Sequence, residues 1–324
     1  MSGEVGMHSE IQPGKDAAPD WCVLEATDAD LHAHNLRNWQ QQYDQLSGGG
    51  FYGRIDELAL SQLQIFHEYT SQALKQQCNV WPDSVWIGFS ADGRDCRING
   101  EQVAAEQLMV RPGDTEFQLL TPPQFDIYGI VVSREVLQRV ADTTQLGWHG
   151  DRPAQVRVGW SLERLQALRY AMQRLLTPTH AGLSGHLQQD WLLGAVVDIL
   201  QQPQVADDKP AMARRRQVVA RVQAYLQAQP LATPSVTDLC ELTHVSRRTL
   251  QYCFEQVLGL SPLQYLRLMR LNAVRRLLLA GLEEGDTIAL LAARYGFWHA
   301  GQFSADYKGL FGEVPSATLA RATQ

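Results

Sequence analysis

The feature that most restricts the fold of this chain is a helical pattern that occurs twice in its last third, at 236–262 and 287–315. Each copy combines a short helix with an apolar stripe, a tight turn, a second amphipathic helix and an exit that contains glycine. Residues 262–281 read as one helix between the two copies. At about 1.5 Å per residue, roughly eighteen helical residues are about 27 Å long, near the roughly 34 Å between successive major grooves on one DNA face. The pattern therefore predicts two helix-turn-helix units joined by a long helix.

Capping residues and side-chain spacing within the first copy predict the limits and the two faces of its second helix. Ser246 follows a turn and is a suitable N-cap, because its hydroxyl can accept from a backbone N–H two or three residues on. Gly259 predicts the C-terminal end of the helix. Arginine forks match guanine O6 and N7, and glutamine can pair with adenine N6 and N7, so the polar face predicts base reading, with a solvated face as the alternative. The predicted base-reading residues are Arg247, Arg248, Gln251 and Tyr252.

The connecting helix and the second copy have comparable signals. Ser261 and Pro262 predict the start of the connecting helix, with a capping hydroxyl and proline at the first helical position, and Gly281 predicts its end. We expect Asp286 to cap the helix over 287–295. The second helix of this copy offers fewer base-reading groups, so we expect it to contribute more positioning than discrimination. This helix presents His299, Gln302, Asp306 and Lys308, of which Gln302 and His299 are predicted to read bases.

The charge of the chain is divided unevenly. From residue 213 onward, 13 lysines and arginines stand against 8 aspartates and glutamates, a net charge of +5. The remaining 15 basic and 27 acidic residues give −12, so the overall charge of −7 describes a basic tail on an acidic body. A basic segment of this kind suits the binding of phosphates. The residues expected to bind phosphates, together with helix N-terminal amides, are Arg267, Arg270, Arg275, Arg276 and Lys308.

The C-terminal third resembles the AraC/XylS class of bacterial transcription regulators. The resemblance depends on S-R-R-T-L with Phe254, Gly259, Pro262 and Tyr265, and then on I-A-L-L-A, G-F, Phe303, Tyr307-Lys308, Phe311-Gly312 and Pro315. Cys240 is a departure, since the family usually has alanine there, but a small apolar residue fits the helix. The resemblance implies an all-α DNA-binding domain over 213–324. It implies promoter DNA, double-stranded, as a partner, and RNA polymerase as a hypothetical one.

The 324 residues are enough for two domains. Turn-bounded strand patterns over 51–132 followed by helical patterns predict an α+β effector-sensing domain over 39–202. Residues 203–212 are polar with two prolines and read as a linker. Residues 1–38 read as a mostly disordered tail.

Two predicted helices of the sensor domain, 161–177 and 184–202, are open to two interpretations. They can cover the β core, or they can form a dimer seam, so the sequence leaves monomer and homodimer both open.

Other classes of protein find little support. The five cysteines are scattered without a C-x-x-C, which fits a reduced cytoplasmic setting and predicts no metal site. No apolar run has the length of a membrane span, and the first twenty residues lack the apolar core of a signal peptide. Residues 182–186 lack the final glycine of G-x-S-x-G, and the glycines over 47–54 lack the Gly-Lys-Ser/Thr of a phosphate loop. We therefore expect neither an enzyme nor a catalytic cofactor. An architectural DNA protein that binds no ligand is an alternative to a ligand-responsive regulator.

The N-terminal part resembles the sensor half of activators of ethanolamine operons, in WQQQYDQLSGGGFYGRIDELAL, LQIFHEYTSQALKQQCNVWPDSVWIGF and RPGDTEFQLLTPPQFDIYGIVVS. This resemblance implies ethanolamine and adenosylcobalamin as joint effectors. A regulator of another amine or amino-acid catabolic operon with a different effector is the alternative. Trp81 and Trp86 can offer cation–π faces to an ammonium group, and Glu68 or Glu116 a counter-charge. Otherwise these tryptophans belong to the core and the acids are solvated.

Overall fold

A computed structural model describes residues 20–60, 62–144, 157–177, 185–203, 205 and 210–322. The first part of the chain is rich in β-structure, with one short helix, α1, at Ala29–His32. The strands are β1 (Asp20–Ala26), β2 (Gln40–Gln45), β3 (Gly53–Leu60), β4 (Leu63–Thr70), β5 (Leu74–Asn79), β6 (Ser84–Ser90), β7 (Cys96–Ile98), β8 (Glu101–Val103), β9 (Gln107–Pro112), β10 (Phe117–Thr121), β11 (Phe125–Ser133) and β12 (Arg157–Gly159).

These strands form two antiparallel sheets that pack face to face. The large sheet has the order β1-β3-β4-β11-β6-β9-β12, and the small sheet has the order β2-β5-β10-β7-β8. Alternation along β11 separates the two faces of the large sheet. Ile127 and Val131 lie in the core between the sheets, whereas Ile130 and Val132 lie in a second core on the opposite face. The β-rich region predicted over 51–132 is confirmed.

Three helices cover the outer face of the large sheet: α2 (Arg134–Thr144), α3 (Leu162–Leu175) and α4 (Gly185–Gln201). Leu165, Leu168 and Met172 of α3 are buried against the sheet. Helices α3 and α4 therefore cover the β core, which is one of the two interpretations of the stretches 161–177 and 184–202, and residue 184 lies outside the described residues. Tyr170 and Trp191 are exposed on these helices.

Residues 20–38 belong to the folded domain, and this corrects the prediction of a disordered tail over 1–38. Strand β1 pairs with β3 along its whole length, from Asp20 opposite Ala59 to Ala26 opposite Gly53. The Asp28 carboxylate then caps α1, because it accepts from the backbone amides of Asp30 and Leu31. An edge strand with exposed positions has only a weak alternation of apolar and polar residues, so the sequence pattern did not predict β1. Residues 1–19 lie outside the described part of the chain.

The last part of the chain is helical. Its helices are α5 (Pro210–Ala228), α6 (Val236–Thr243), α7 (Arg247–Leu258), α8 (Pro262–Ala280), α9 (Ile288–Arg294), α10 (Ala300–Phe311) and α11 (Pro315–Ala322). One apolar cluster joins α5, α6, α7 and the start of α8, and another joins the rest of α8 with α9, α10 and α11. Helix α8 is thus shared by both. Helix α5 begins inside the predicted linker 203–212, of which residues 204 and 206–209 lie outside the description.

Most predicted helix limits are confirmed, at Ser246, Gly259, Ser261 with Pro262, and Gly281. The predicted cap at Asp286 is wrong. Helix α9 begins at Ile288, so Thr287 is its N-cap and accepts from the Leu290 amide at 3.2 Å. The Asp286 carboxylate instead accepts two hydrogen bonds from Arg294, each 2.7 Å long.

Candidate nucleic-acid interface

Helix α7 presents a polar face to solvent. Leu250, Phe254 and Val257 are buried on its apolar side, which fixes the rotation of the helix against α5 and α6. The four predicted base-reading residues lie on the remaining face. Arg247, Arg248 and Tyr252 are exposed, and Gln251 is half-buried. The structure therefore brings the four side chains together on one accessible surface.

Arg215 of α5 contacts this surface and is missing from the residues predicted by sequence. Its guanidinium carbon lies 4.6 Å from the centroid of the Tyr252 ring, the geometry of a cation–π contact. The contact holds the tyrosine ring against the first helix of the domain. Local pattern gave no signal for it, because the two residues are far apart in sequence.

Helix α10 presents a second exposed face. His299, Gln302 and Lys308 are exposed, as predicted. Asp306 differs from the prediction, since its side chain is only 9% exposed and forms an ion pair with Arg267 of α8. Arg267 is therefore paired, although its side chain stays half exposed. Trp298, in the turn before α10, is 79% exposed and is a surface aromatic residue that the sequence interpretation missed.

Two of the predicted phosphate ligands point away from this surface, and this corrects their assignment. Arg275 is buried, with its Nε 2.5 Å from the Asp28 carboxylate and its guanidinium carbon 4.5 Å from the Phe311 ring centroid. Arg276 donates to Asp44 at 2.8 Å. Burial opposes the charge of Arg275, yet the nearby Asp28 carboxylate leaves the pKa of Arg275 raised. Both arginines bind the β-rich domain.

Arg270, a third predicted phosphate ligand, is half-buried between the domains. It donates to the Pro234 carbonyl at 3.3 Å, while its buried Nε has no protein hydrogen-bond partner. Burial lowers the pKa of this guanidinium. Of the five predicted phosphate ligands, the exposed ones are Arg267 and Lys308.

A set of polar contacts joins α8 to the β-rich domain; we call it the domain clasp. It consists of the Asp28–Arg275 pair, the pairs of Asp44 with Lys75 and Arg276, and the contact between Gln45 and Asn272. Each oxygen of the buried Asp44 carboxylate faces one cation, Lys75 Nζ at 2.9 Å and Arg276 Nη1 at 2.8 Å. Burial opposes its charge, but these two cations lower the pKa of Asp44 overall.

The Asn272 side chain completes the edge of the small sheet. Its Oδ1 accepts from the Gln45 amide at 2.9 Å, and its Nδ2 donates to the Gln45 carbonyl at 3.0 Å. Strand β2 is the edge strand of that sheet, so its outer backbone groups need partners when they are buried. An amide side chain on α8 supplies both. Helix α8 is therefore hydrogen-bonded to the edge of the small sheet through Asn272.

The glycine-rich segment after β2 has a packing role. The Gly49 amide and the Gln45 side-chain amide both donate to the Leu310 carbonyl at the end of α10, at 3.0 and 2.6 Å. A Cβ on Gly48 would lie 2.7 Å from the Gly309 carbonyl oxygen. Glycine is needed there because the two backbones approach so closely.

The four predicted effector residues occupy different environments. Trp86 is buried in the core between the sheets, where it stacks on Phe117 with ring centroids 4.7 Å apart. Glu68 is also buried and accepts from the Tyr43 hydroxyl at 3.0 Å. These two residues are therefore core residues, as the alternative interpretation proposed for the tryptophans. Trp81 is half-buried, and Glu116 is exposed and accepts from Gln77 at 3.3 Å.

Within the described ranges, no cluster of three or more histidine, cysteine, aspartate or glutamate residues is arranged to hold a metal ion. No described helix has both the length and the apolar character needed to cross a bilayer.

Comparison with known proteins finds similarity in the helical part of the chain. A family model described as a helix-turn-helix domain matches residues 239–321. The XylDLEGF operon transcriptional activator 2 of Pseudomonas putida is 35% identical over 99 residues, which are 31% of this chain and 63% of that protein. The probable thc operon regulatory protein of Rhodococcus erythropolis is 32% identical over 113 residues, 35% of this chain and 33% of that protein. The matches thus span less than two thirds of either relative.

A crystal structure of a probable AraC family transcriptional regulator from Rhodopseudomonas palustris is 33% identical, with a TM-score of 0.31. The match covers 33% of this chain and 97% of that one. Residues 239–321 are accordingly a helix-turn-helix domain, and the C-terminal part of this chain is similar to operon activators and to a probable AraC family regulator.

Proposed function

We propose that this chain is a ligand-responsive transcription activator that binds promoter DNA through two helix-turn-helix units. The observation that carries the proposal is the polar surface of α7, which exposes two arginines and a tyrosine beside the half-buried Gln251 while its other side is packed. In this proposal α6 and α7 form one unit, and α9 and α10 form the other. The 19 residues of α8 span about 28 Å and separate the two units by a distance close to that between neighbouring major grooves.

The two units have unequal roles. Arg248, Gln251 and Tyr252 read bases from α7, with Arg247 beside them. Gln302 is the main reader on α10, with His299 behind it. Arg267 and Lys308 remain for phosphates, because Arg275 and Arg276 belong to the clasp and Arg270 is half-buried.

Selection from a random DNA library with the full chain tests the proposal. We expect one enriched site with two half-sites about 10 base pairs apart, because each unit enters one groove. Arg248→Ala is expected to weaken that site by about 1–3 kcal/mol and to relax preference at one base pair. Arg139→Ala, at an exposed arginine of α2, is the matched control and leaves binding unchanged. Loss of affinity on all sequences alike would instead make Arg248 a phosphate contact.

We propose ethanolamine and adenosylcobalamin as the effectors, on the strength of the resemblance of the N-terminal segments. Of the four predicted effector residues, Trp81 and Glu116 remain accessible enough to contact a ligand. In this proposal the effectors change the orientation of the DNA-binding domain or expose a contact for RNA polymerase. Another amine or amino acid is the alternative effector.

Thermal unfolding of the full chain with ethanolamine, with and without adenosylcobalamin, tests the effectors. Ligands that bind the native state raise the unfolding temperature. Trp81→Ala is expected to abolish that shift, whereas Trp21→Ala, at a half-exposed tryptophan of β1, keeps it. No shift with either compound would eliminate this effector pair and leave DNA binding untouched.

A further inference from the structure

The two helices that the proposed function places in DNA grooves share a local arrangement of side chains. On α7, the Gln251 side-chain amide donates to the Glu255 carboxylate at 2.6 Å. On α10, the Gln302 amide donates to the Asp306 carboxylate, also at 2.6 Å. Each carboxylate lies four residues after its glutamine, one helical turn away on the same face. We call these contacts the glutamine–carboxylate pairs.

The chemistry of the pair fixes the orientation of the glutamine amide. An ionised carboxylate has acceptor atoms only, so the NH₂ end of the amide must face it. The carbonyl oxygen is then the end that is left for another partner. A glutamine without such a neighbour can rotate its amide by about 180° about its last torsion and can offer donors instead, because that torsion is broad and roughly two-fold.

We propose that Glu255 and Asp306 determine base specificity by fixing the carbonyl oxygen of Gln251 and Gln302 toward the base edges. This inference rests on the DNA binding proposed above. In the major groove an acceptor finds hydrogen-bond donors only on adenine N6 and cytosine N4, whereas guanine O6 and thymine O4 are acceptors. Each pair therefore selects adenine or cytosine at one position and rejects guanine and thymine. Adenine is favoured where the second amide N–H reaches N7.

The pair on α10 is anchored more firmly than the pair on α7. Asp306 is also bound by Arg267 of α8 and its side chain is nearly buried, so its carboxylate has a defined position. Glu255 is exposed. Exposed hydrogen bonds and ion pairs contribute little to a fixed geometry, since water competes with them. We therefore expect the base preference to be sharper at the position that Gln302 reads.

The experiment is library selection with the full chain carrying Glu255→Gln or Asp306→Asn. Each substitution replaces an acceptor-only group with an amide that can accept or donate, so the neighbouring glutamine can turn over. At one position per variant, we expect guanine or thymine to gain about 5- to 100-fold relative to adenine or cytosine. Glu255→Asp and Asp306→Glu keep an acceptor-only carboxylate and are expected to retain the original preference.

A control separates specificity from charge. Glu283→Gln removes one exposed negative charge from the loop after α8, away from either glutamine. Affinity that rises equally on all sequences in this variant and in Glu255→Gln, with unchanged base preference, would overturn the inference because charge alone would explain the effect. Unchanged preference in Asp306→Asn would overturn it as well. A wild-type chain that enriches no site would instead refute the proposed DNA binding, so the two failures differ in the wild-type result.

Discussion

Replacement of Asp44 by asparagine should weaken the domain clasp, because it removes the carboxylate that Lys75 and Arg276 bind. The Asp44 side chain is 2% exposed and neutralises Lys75, itself 8% exposed, together with Arg276. Asparagine keeps the size of the residue but leaves these cations without their charged partner inside the protein. Loss of one member of a buried ion pair costs about 3–5 kcal/mol, and the amide oxygen can still accept one hydrogen bond, so we expect about 3 kcal/mol.

Hydrogen exchange at the Gln45 amide measures this effect at the clasp itself. That amide donates to Asn272, so it exchanges only when β2 and α8 separate or the sheet edge opens. A cost of about 3 kcal/mol corresponds to exchange about 10²-fold faster, since each 1.4 kcal/mol is a factor of ten. Amides in the centre of β11, which the clasp does not contact, should lose protection only to the extent that they exchange through global unfolding.

Two further variants make the result decisive. Glu135→Gln breaks an exposed pair with Arg139 and is expected to cost at most about 0.5 kcal/mol. Asp44→Asn combined with Lys75→Met removes two of the buried charges together and should recover part of the lost stability, because the uncompensated lysine is gone. Exchange at Gln45 that is as slow in Asp44→Asn as in Glu135→Gln would refute the electrostatic account of the clasp.

Other predictions concern the same interface and the helix ends. Gly48→Ala should loosen the contact with α10, seen as faster exchange at the Gly49 amide, whereas Gly309→Ala, whose Cβ meets nothing within 4 Å, should be tolerated. Acid should weaken the clasp in pH titrations of unfolding: the lowered pKa of Asp44 gives stability that is complete above its unfolded value of about 3.9 and is lost as pH falls through the lower folded value. Ser261→Ala should cost about 1 kcal/mol in denaturant unfolding, because the capping box of α8 loses its hydroxyl. Trp298→Ala should change stability by less than about 0.5 kcal/mol, since the side chain is largely solvated; a larger loss would mean that it packs in the native state.

The ends and faces of the helices could be predicted because they depend on interactions between residues close together in sequence. The caps at Ser246 and Ser261 and the stop at Gly259 depend on residues one to four positions apart, so the sequence contains the whole interaction. The rotation of α7 follows equally from the spacing of its apolar residues. The polar face that carries Arg248 was predictable for the same reason.

The contacts between the domains depend on residues far apart in sequence. An arginine that binds phosphate and an arginine that binds an aspartate of another domain look the same in a sequence. Arg275 nevertheless had a local signal. It lies four residues after Leu271 and three before Leu278, which are both buried, so its spacing on the helix favoured an internal partner. Arg276 and Asp44 had no comparable signal.

Helix α8 has two structural roles, and these connect the β-rich domain to the proposed DNA-binding surface. It belongs to both apolar clusters of the helical domain, so it fixes the separation of α7 and α10. Its middle is also hydrogen-bonded to β2 through Asn272, which follows Leu271 of the second cluster. A displacement of β2 therefore acts on the middle of α8. A small rotation of α8 there changes the orientation of α7 relative to α10. An effector that shifts the sheet edge can thus alter DNA binding with no contact of its own to α7 or α10, provided that it favours one position of β2 over another.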